Sequence, residues 1–196
     1  MLYNHFDMFE TIIYGFILVI LIAWSFGLFV VFLSIIEQIF YTWNNGRVVF
    51  LPTELRLIKS KVIEWIQKYE LKTEEMSLIE LGCGRAGFLR SMSKYVWKQK
   101  IGVEGQFILS VKSKFLNFGK NIKIIHGDIF NFEIPKNSIV YCYLGTKNMN
   151  ELHSIGKLKG SLVISLDYKI DNIEPNESYH ISDKKVQNNL FLYDFR

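Results

Sequence analysis

The distribution of apolar residues divides the chain into two parts. Residues 11–36 contain no charged side chain, and about 20 apolar residues in a helix suffice to cross the hydrocarbon core of a bilayer. Tyr41 and Trp43 follow this run, where aromatic side chains would line a membrane interface. The pattern therefore predicts a short tail over 1–10 and a transmembrane helix with its interfacial end over 11–43.

Charges on the two sides of this run indicate its orientation. A signal peptide would have positive charge ahead of an apolar region of about 7–15 residues, whereas the preceding residues here include Asp7 and Glu10 and neither Lys nor Arg. A buried core helix is the other alternative, but the rest of the chain is too small to enclose it. The positive-inside rule predicts a single-pass membrane protein with a cytoplasmic C-terminal domain, because basic residues follow the run: Arg47, Arg56, Lys59 and Lys61.

A linker and an amphipathic helix are predicted over 44–76. Residues 44–46 read Asn-Asn-Gly, which interrupts the apolar run and ends the long helix. A second helix is expected to begin near Pro52 and Thr53. Its apolar residues recur at helical spacing: Leu55, Ile58, Val62, Ile66 and Tyr69.

From residue 77 onward, short apolar segments alternate with helical patterns, as in a mainly parallel sheet covered by helices. The last two predicted strands would form an antiparallel hairpin at one edge. We expect a single doubly wound α/β domain with a seven-stranded sheet over 77–196. Strands are predicted at 77–81, 100–104, 122–126, 138–144, 162–168, 178–182 and 190–195, and helices at 86–97, 107–118 and 148–155.

Composition adds two constraints. The apolar content of 49% is high for a small protein, and much of the excess lies in the first 43 residues, which supports the membrane interpretation. The formal net charge of +4 is mildly basic and does not by itself imply nucleic-acid binding. Cys83 and Cys142 form neither a disulfide framework nor a zinc-binding spacing, so we expect a reducing compartment and no metal site.

The most informative motif follows the first predicted strand, where residues 78–87 read Leu-Ile-Glu-Leu-Gly-Cys-Gly-Arg-Ala-Gly. Glycines at this spacing let the backbone turn tightly and approach a nucleotide closely. Glu80 would repel a pyrophosphate but suits S-adenosylmethionine, which carries an ammonium and a sulfonium. The segment resembles motif I of the class I methyltransferases, which implies a Rossmann-like fold and cofactor contacts from Glu80, Gly82, Cys83 and Gly84.

Two further acidic residues follow the next strands. Glu104, with Gly105 after it, ends the second strand about 20 residues beyond the glycines, where a carboxylate accepts the ribose hydroxyls. Asp128 and Ile129 follow the third strand, where class I methyltransferases bind the adenine. A solvated strand end and an ordinary Gly-Asp turn are the alternatives. Three signals at successive strand ends favour S-adenosylmethionine over NAD, and His126 is expected to be structural.

The fourth predicted strand ends where the methyl group would meet its acceptor. DNA methyltransferases and many protein-amide methyltransferases have Asn/Asp-Pro-Pro-Tyr/Phe here, and this chain lacks it, which argues against nucleobase and amide substrates. We expect Tyr141 and Tyr143 to point to opposite sides, with Tyr143 in the site. An aromatic slot could hold a lysine by cation–π attraction.

A more specific resemblance rests on several segments between 49 and 170. They are Phe50-Leu51-Pro52-Thr53, the motif from Glu80 to Gly84, Gly102-Val103-Glu104, Gly127-Asp128-Ile129-Phe130, Tyr143-Leu144, Met149-Asn150-Glu151-Leu152 and Leu158-Lys159-Gly160. These are similar to small membrane-anchored prokaryotic relatives of the mitochondrial lysine methyltransferases that modify the ADP/ATP carrier and ATP synthase subunit c. The resemblance implies protein-lysine N-methylation, with Pro52, Thr53 and Tyr143 as substrate contacts and Tyr143 aligning the acceptor. Arg85-Ala86 and a short loop after the fifth strand depart from the family pattern.

Several alternatives remain open at this stage. A membrane anchor would equally bring a lipid headgroup or a quinone within reach, so a lipid or quinone methyltransferase is one alternative. A non-catalytic module that binds S-adenosylmethionine is another, because Arg85 stands at a usually acidic position and the catalytic signature after the fourth strand is missing. The expected partners are the bilayer and a protein substrate, for which a membrane protein is one candidate, and no nucleic acid is expected.

Overall fold

The computed structural model describes residues 3–45, 55–183 and 186–196, and the chain forms two compact units, Met1–Phe40 and Tyr41–Arg196. The described part of the first unit is helical and belongs to α1 (Tyr3–Asn45), which ends within the predicted 44–46 boundary. Its window Ile12–Glu37 has a mean hydropathy of 2.9, and none of that window is buried. By length and composition this helix could cross a membrane.

The second unit is a seven-stranded sheet with the order β3-β2-β1-β4-β5-β7-β6. The first five strands are parallel and β7 is antiparallel to both of its neighbours, β5 and β6. This arrangement confirms the predicted doubly wound sheet with an antiparallel edge. The elements are α2 (Leu55–Lys68), a 3₁₀ turn (Thr73–Glu75), β1 (Ser77–Leu81), α3 (Gly87–Ser91), β2 (Gln99–Glu104), α4 (Phe107–Leu116), β3 (Lys123–His126), β4 (Ser138–Cys142), α5 (Thr146–Ser154), β5 (Ser161–Leu166), β6 (Glu177–Asp183) and β7 (Val186–Asp194).

Apolar residues cover both faces of the sheet, which is why its central strands are continuous apolar runs. All five residues of β1 and of β4 are buried. Leu78 faces the layer that contains α2 and α3, whereas Ile79 and Leu81 face the layer that contains α5. The alternation fixes the register, because a slip of one residue would exchange the two layers.

Several predicted elements are too long. The first helix was expected to reach residue 97, but α3 ends at Ser91, where the Ser91 hydroxyl donates to the Phe88 carbonyl at 2.7 Å. Such side-chain bonds to the backbone compete with helix continuation. Strand β5 ends at Leu166 instead of residue 168, because Asp167 turns the chain with φ +64°.

Helix α2 is attached to the antiparallel edge by one carboxylate. Glu177 in β6 accepts hydrogen bonds from Trp65 Nε1 at 2.9 Å, Lys68 Nζ at 2.7 Å and Tyr69 Oη at 2.5 Å. The helix also buries Ile58 and Val62 against the sheet. These contacts hold the first helix of the α/β sheet region against its last hairpin.

Candidate functional site

The carboxyl ends of the parallel strands converge on one edge of the sheet, where α/β folds bind their ligands. Backbone hydrogen bonds join the loops at this edge: the Cys83 N–H donates to the Val103 carbonyl at 2.9 Å, and the Gly127 N–H donates to the Glu104 carbonyl at 3.0 Å. A Cβ on Gly82 would lie 3.1 Å from Leu144. The loops that follow β1, β2, β3 and β4, which carry most of the predicted site residues, are therefore adjacent.

The glycine turn after β1 has the backbone that its sequence predicts. Gly82 and Gly84 have φ of +68° and +51°, in the left-handed region that glycine enters without steric cost. Ala86 also has a positive φ, +55°, and precedes α3 directly. A non-glycine residue in this region is strained, and strain of this kind persists where the surrounding structure demands it.

Glu80 lies on β1 beneath this turn and is 7% exposed. Its Oε2 accepts the Leu89 N–H of α3 at 3.2 Å. Burial raises the pKa of Glu80 to about 8, although the Leu89 and Phe88 N–H groups and the Arg90 charge oppose this rise. The carboxyl is thus protonated near neutral pH, and a cationic ligand nearby would favour its ionised form.

Glu104 ends β2 and connects two loops through its carboxylate. Oε2 accepts the Gly84 N–H at 2.8 Å, and Oε1 accepts the Gln106 N–H at 2.9 Å ahead of α4. A carboxylate offers about four acceptor sites, so these two bonds are compatible with ribose hydroxyls as further donors. The residue fits the role expected from its spacing and also stabilises the glycine turn.

Asp128 lies in a turn after β3. Its Oδ1 accepts the Phe130 N–H at 3.0 Å, which is the Asx-turn geometry, and the following Ile129 is buried. Nε2 of His126 lies 3.2 Å from the Gly105 carbonyl oxygen, within hydrogen-bond distance, and the His126 ring packs edge-on to Phe107. These contacts agree with a structural role for His126.

The cysteine in the glycine turn is not a reactive thiol. Cys83 is 3% exposed, and burial raises its pKa well above its usual range, with Glu80 adding to the rise. No group of three or more His, Cys, Asp or Glu side chains that could hold a metal ion occurs among the described residues.

The two tyrosines of the fourth strand correct one prediction. Residues two apart on a strand share a face, so the expectation that Tyr141 and Tyr143 point to opposite sides is wrong, and both contact the layer that contains α3. Tyr141 is buried, stacks on Phe88 at 4.0 Å and has a hydroxyl without a hydrogen-bond partner among the described residues.

Tyr143 lies just beyond β4, which ends at Cys142 instead of residue 144. Its ring centroid is 5.8 Å from that of Tyr168, and burial raises the pKa of its hydroxyl, with Asp167 adding to the rise. The Asn189 N–H donates to Asp167 at 2.7 Å and fixes this carboxylate. Asp167 and Tyr168 were not singled out from the sequence, where they form the end of the predicted strand 162–168, but they directly follow the observed strand β5. The predicted contacts Pro52 and Thr53 lie outside the described residues.

Helix α4 and the residue after it support the glycine turn through polar contacts that the apolar pattern of the helix did not predict. Its buried stripe is polar: Ser110 and Ser113 are fully buried, and Asn117 follows one turn later. Asn117 Nδ2 donates to the Ser113 carbonyl at 2.7 Å and to the Arg85 carbonyl at 3.3 Å. Small polar side chains therefore bring this helix close to the glycine turn.

Comparisons with known proteins agree with this geometry. An RNA methyltransferase from Salinibacter ruber, bound to S-adenosyl-L-homocysteine, superposes with a TM-score of 0.59 at 18% identity over 74% of this chain and 94% of its own. The magnesium protoporphyrin IX methyltransferase of Synechocystis PCC 6803, with bound S-adenosylmethionine, gives 0.57 at 10% identity over 81% and 95%. TrmK of M. capricolum, bound to S-adenosyl-homocysteine, gives 0.52 at 12% identity over 67% of each chain.

At these identities the structures establish the fold, and no curated protein matches the chain in sequence. The family model described as ribosomal RNA adenine dimethylase matches residues 57–182, which include the glycine turn and all five parallel strands. The cofactor is S-adenosylmethionine, and the chain belongs to the ribosomal RNA adenine dimethylase family of S-adenosylmethionine-dependent methyltransferases.

Proposed function

We propose that this methyltransferase is anchored in a membrane and methylates lysine side chains of proteins. The observation that carries the proposal is the Tyr143–Tyr168 pair beside Asp167, at the carboxyl ends of β4 and β5. Two adjoining tyrosine rings can pack along one side of the aliphatic stem of a lysine and attract its ammonium. The Asp167 carboxylate adds an opposite charge that would guide the ammonium into the site.

The cofactor would lie along the carboxyl edge. Glu80 would bind the ammonium of the cofactor. The turn of Gly82, Cys83 and Gly84 would form the floor of the cofactor pocket. Glu104 and Gly105 would contact the ribose. Asp128 and Ile129 would contact the adenine. The cofactor supplies a methyl carbon that its sulfonium already activates, so the protein's task is to align an acceptor and keep it unprotonated.

Desolvation can supply the unprotonated amine. Tyr143 is half-buried and Tyr141 beneath it is fully buried, so a lysine that reaches this edge would lose much of its hydration. Loss of hydration lowers the pKa of an ammonium. The proton would leave toward solvent along the exposed side of the tyrosine pair, and Tyr143 would align the resulting lone pair.

The membrane part of the proposal rests on α1. Side chains throughout its apolar window are exposed, including Phe16 at 70% and Trp24 at 71%, which is unfavourable in water and favourable in lipid. With the basic flank on the C-terminal side, the catalytic unit would face the cytoplasm. A single-pass anchor would bring the site near membrane proteins.

A second candidate, methylation of RNA, is favoured by the family description and by the RNA methyltransferase among the similar structures. The sequence after β4 is Tyr143-Leu144-Gly145-Thr146. It differs from the Asn/Asp-Pro-Pro-Tyr/Phe pattern that marks nucleobase amines as acceptors. This difference is why we place lysine first.

Variants of the tyrosine pair test the proposal. Tyr143→Ala should abolish most methyl transfer to membrane proteins while calorimetry shows nearly unchanged S-adenosylmethionine binding. Tyr143→Phe keeps the ring and should retain more transfer, because the cation–π attraction survives. Tyr141→Phe, the matched control on the same face, should transfer at the wild-type rate. Wild-type transfer by Tyr143→Ala would refute the acceptor site, and methylation that ribonuclease removes would favour the RNA candidate.

A further inference from the structure

Helix α4 and the residues just after it bury small polar side chains and expose large aromatic ones. Ser110, Ser113 and Asn117 face the protein, whereas Phe115 is 80% exposed and Phe118, just after the helix, is 89% exposed. A soluble domain normally places such side chains inward. Val96, 73% exposed, adds a third large apolar side chain to the same end of the sheet. Clustered exposed apolar side chains mark interaction sites.

The sequence around these side chains is strongly basic. Residues 85–126 contain one acidic side chain, Glu104, which is buried in the site described above. The rest of the chain carries more acidic than basic residues, so the positive charge of the protein is concentrated here. The basic residues of this segment are Arg85, Arg90, Lys94, Lys98, Lys100, Lys112, Lys114, Lys120 and Lys123.

Two adjoining grooves lie between the apolar side chains at the amino ends of β2 and β3, and Lys100 lines both. One groove also has Val96 and Lys120 on its wall, and the other has Phe118 and Lys123. Lys100 is 8% exposed, and its side-chain ammonium forms no hydrogen bond or ion pair with another described residue. Burial lowers its pKa. An anion in the grooves would give this ammonium an opposite charge to pair with.

We propose that this surface, the basic-aromatic face (Val96, Lys98, Lys100, Lys114, Phe115, Phe118, Lys120 and Lys123), docks on a bilayer that contains anionic phospholipid. Lipid phosphates would occupy the grooves between the lysines. The phenylalanines and Val96 would enter the boundary between headgroups and acyl chains, as the apolar residues of interfacial proteins do. Attraction between the lysines and an anionic leaflet would add to the membrane affinity that these apolar side chains provide.

Position in the fold favours lipid over a nucleic-acid substrate. The face lies at the amino ends of β2 and β3, whereas Glu104 and His126 end those strands at the opposite edge, where methyl transfer takes place. A substrate should contact the edge that reacts. A docking surface has no such requirement, and α1, long and apolar enough to cross a bilayer, would bring one within reach, so the inference rests on the proposed membrane anchoring. The proposal does not depend on which acceptor is methylated.

The test uses the full chain in nanodiscs of phosphatidylcholine, alone or mixed with phosphatidylglycerol. A polarity-sensitive fluorophore is attached to the cysteine of the Phe118→Cys variant. The control is Ile155→Cys, because Ile155 is also an exposed apolar residue and lies after α5. Both native cysteines are buried, so the label should react with the introduced cysteine. Quenching by neutral acrylamide should fall several-fold at residue 118 only with the anionic lipid. It should be equal in the two kinds of disc at residue 155.

Charge variants then locate the anion contacts. Lys100→Gln and Lys123→Gln should each reduce the ratio of docked to undocked protein about fivefold, the effect of one lysine near an anionic surface. Lys159→Gln, at an exposed lysine before β5, should have no effect. Equal quenching at residue 118 in both kinds of disc would overturn the proposal. Protection of residue 118 by added RNA in phosphatidylcholine discs would also overturn it and assign the face to nucleic acid.

Discussion

The two buried carboxylates of the site differ in how their charge is compensated. Glu104 accepts two backbone N–H groups at 2.8 and 2.9 Å, whereas the hydrogen bonds to Glu80 do not offset its burial, and its pKa rises to about 8. Glu80 is therefore the group whose ionisation should respond to a cationic ligand. Glu104 should act mainly through its acceptor geometry.

Binding of S-adenosylmethionine should release a proton from Glu80. Near pH 7 the apoprotein holds Glu80 mostly protonated, because its pKa is about 8, and the ammonium of the ligand favours the carboxylate. Calorimetry in buffers of different ionisation enthalpy should show release of about one proton near pH 7. A binding enthalpy independent of the buffer would contradict this role.

The matched control is Glu80→Gln, which keeps the shape and cannot titrate. It should bind S-adenosylmethionine more weakly and release no proton.

The raised pKa of Glu80 also determines how stability depends on pH. The native state binds more protons than the unfolded chain between the ordinary pKa of 4.5 and the raised value of about 8. Apoprotein stability should therefore fall as the pH rises through this window, and less so in Glu80→Gln.

Glu104→Ala should weaken S-adenosylmethionine binding by about 1–3 kcal/mol, the usual cost of lost hydrogen bonds to a charged group. The effect has two parts, since the variant loses the ribose acceptor and also the bond that holds Gly84. Glu133→Ala is the control, because the Glu133 side chain is 88% exposed. Calorimetric affinities that match the wild type in Glu104→Ala would refute the ribose assignment.

At the scale of elements, the close packing of β2 against the glycine turn requires a residue without a side chain at position 102. A Cβ on Gly102 would lie 2.7 Å from Cys83 Sγ and 3.0 Å from Ile124 Cδ1, so neither the turn nor β3 leaves room. Gly102→Ala should cost about 1–3 kcal/mol in chemical denaturation, the range for overpacking. In Gly127→Ala the nearest atom is 4.0 Å away, and this variant should be close to wild type.

The elements could be predicted well where burial alone determines them. The strands predicted at 77–81 and 138–144 were found because both faces of β1 and β4 are buried, which makes these segments mostly apolar, although β4 ends at Cys142. Helix α4 was found as a helix, but its buried stripe is Ser110, Ser113 and Asn117, and apolar periodicity cannot indicate a polar contact face. The early end of α3 depends on side-chain bonds to the backbone, which no apolar pattern encodes.

At the scale of the whole molecule, the order of the strands explains why the sequence could place the candidate site residues together. Parallel strands bring residues from distant segments to one edge, so the glycine motif selected Glu80 and the spacing after it selected Glu104. The Tyr168 ring beside Tyr143 could not be predicted, because that contact depends on the turn at Asp167 with φ +64°. Sequence spacing identifies strand ends, but it does not give the conformation of the loops that follow.

The anchor can be tested on the whole chain. With an apolar window of 26 residues and hydropathy 2.9, the protein should remain in the membrane fraction after high-salt and carbonate washes. A chain that begins near Val48 should be soluble and should still bind S-adenosylmethionine. Release of the full chain by carbonate would show that α1 does not span the bilayer.

The central claim is that this methyltransferase modifies protein lysine, and the chemical identity of its product tests that claim most directly. Membranes from cells without the protein are incubated with the purified full chain and S-adenosylmethionine labelled in the methyl group. Protein, lipid and RNA are then separated and hydrolysed, and the labelled compound is identified by mass spectrometry. The account predicts methylated lysine that is absent with Tyr143→Ala, whereas label in methyladenine or in a lipid would contradict it.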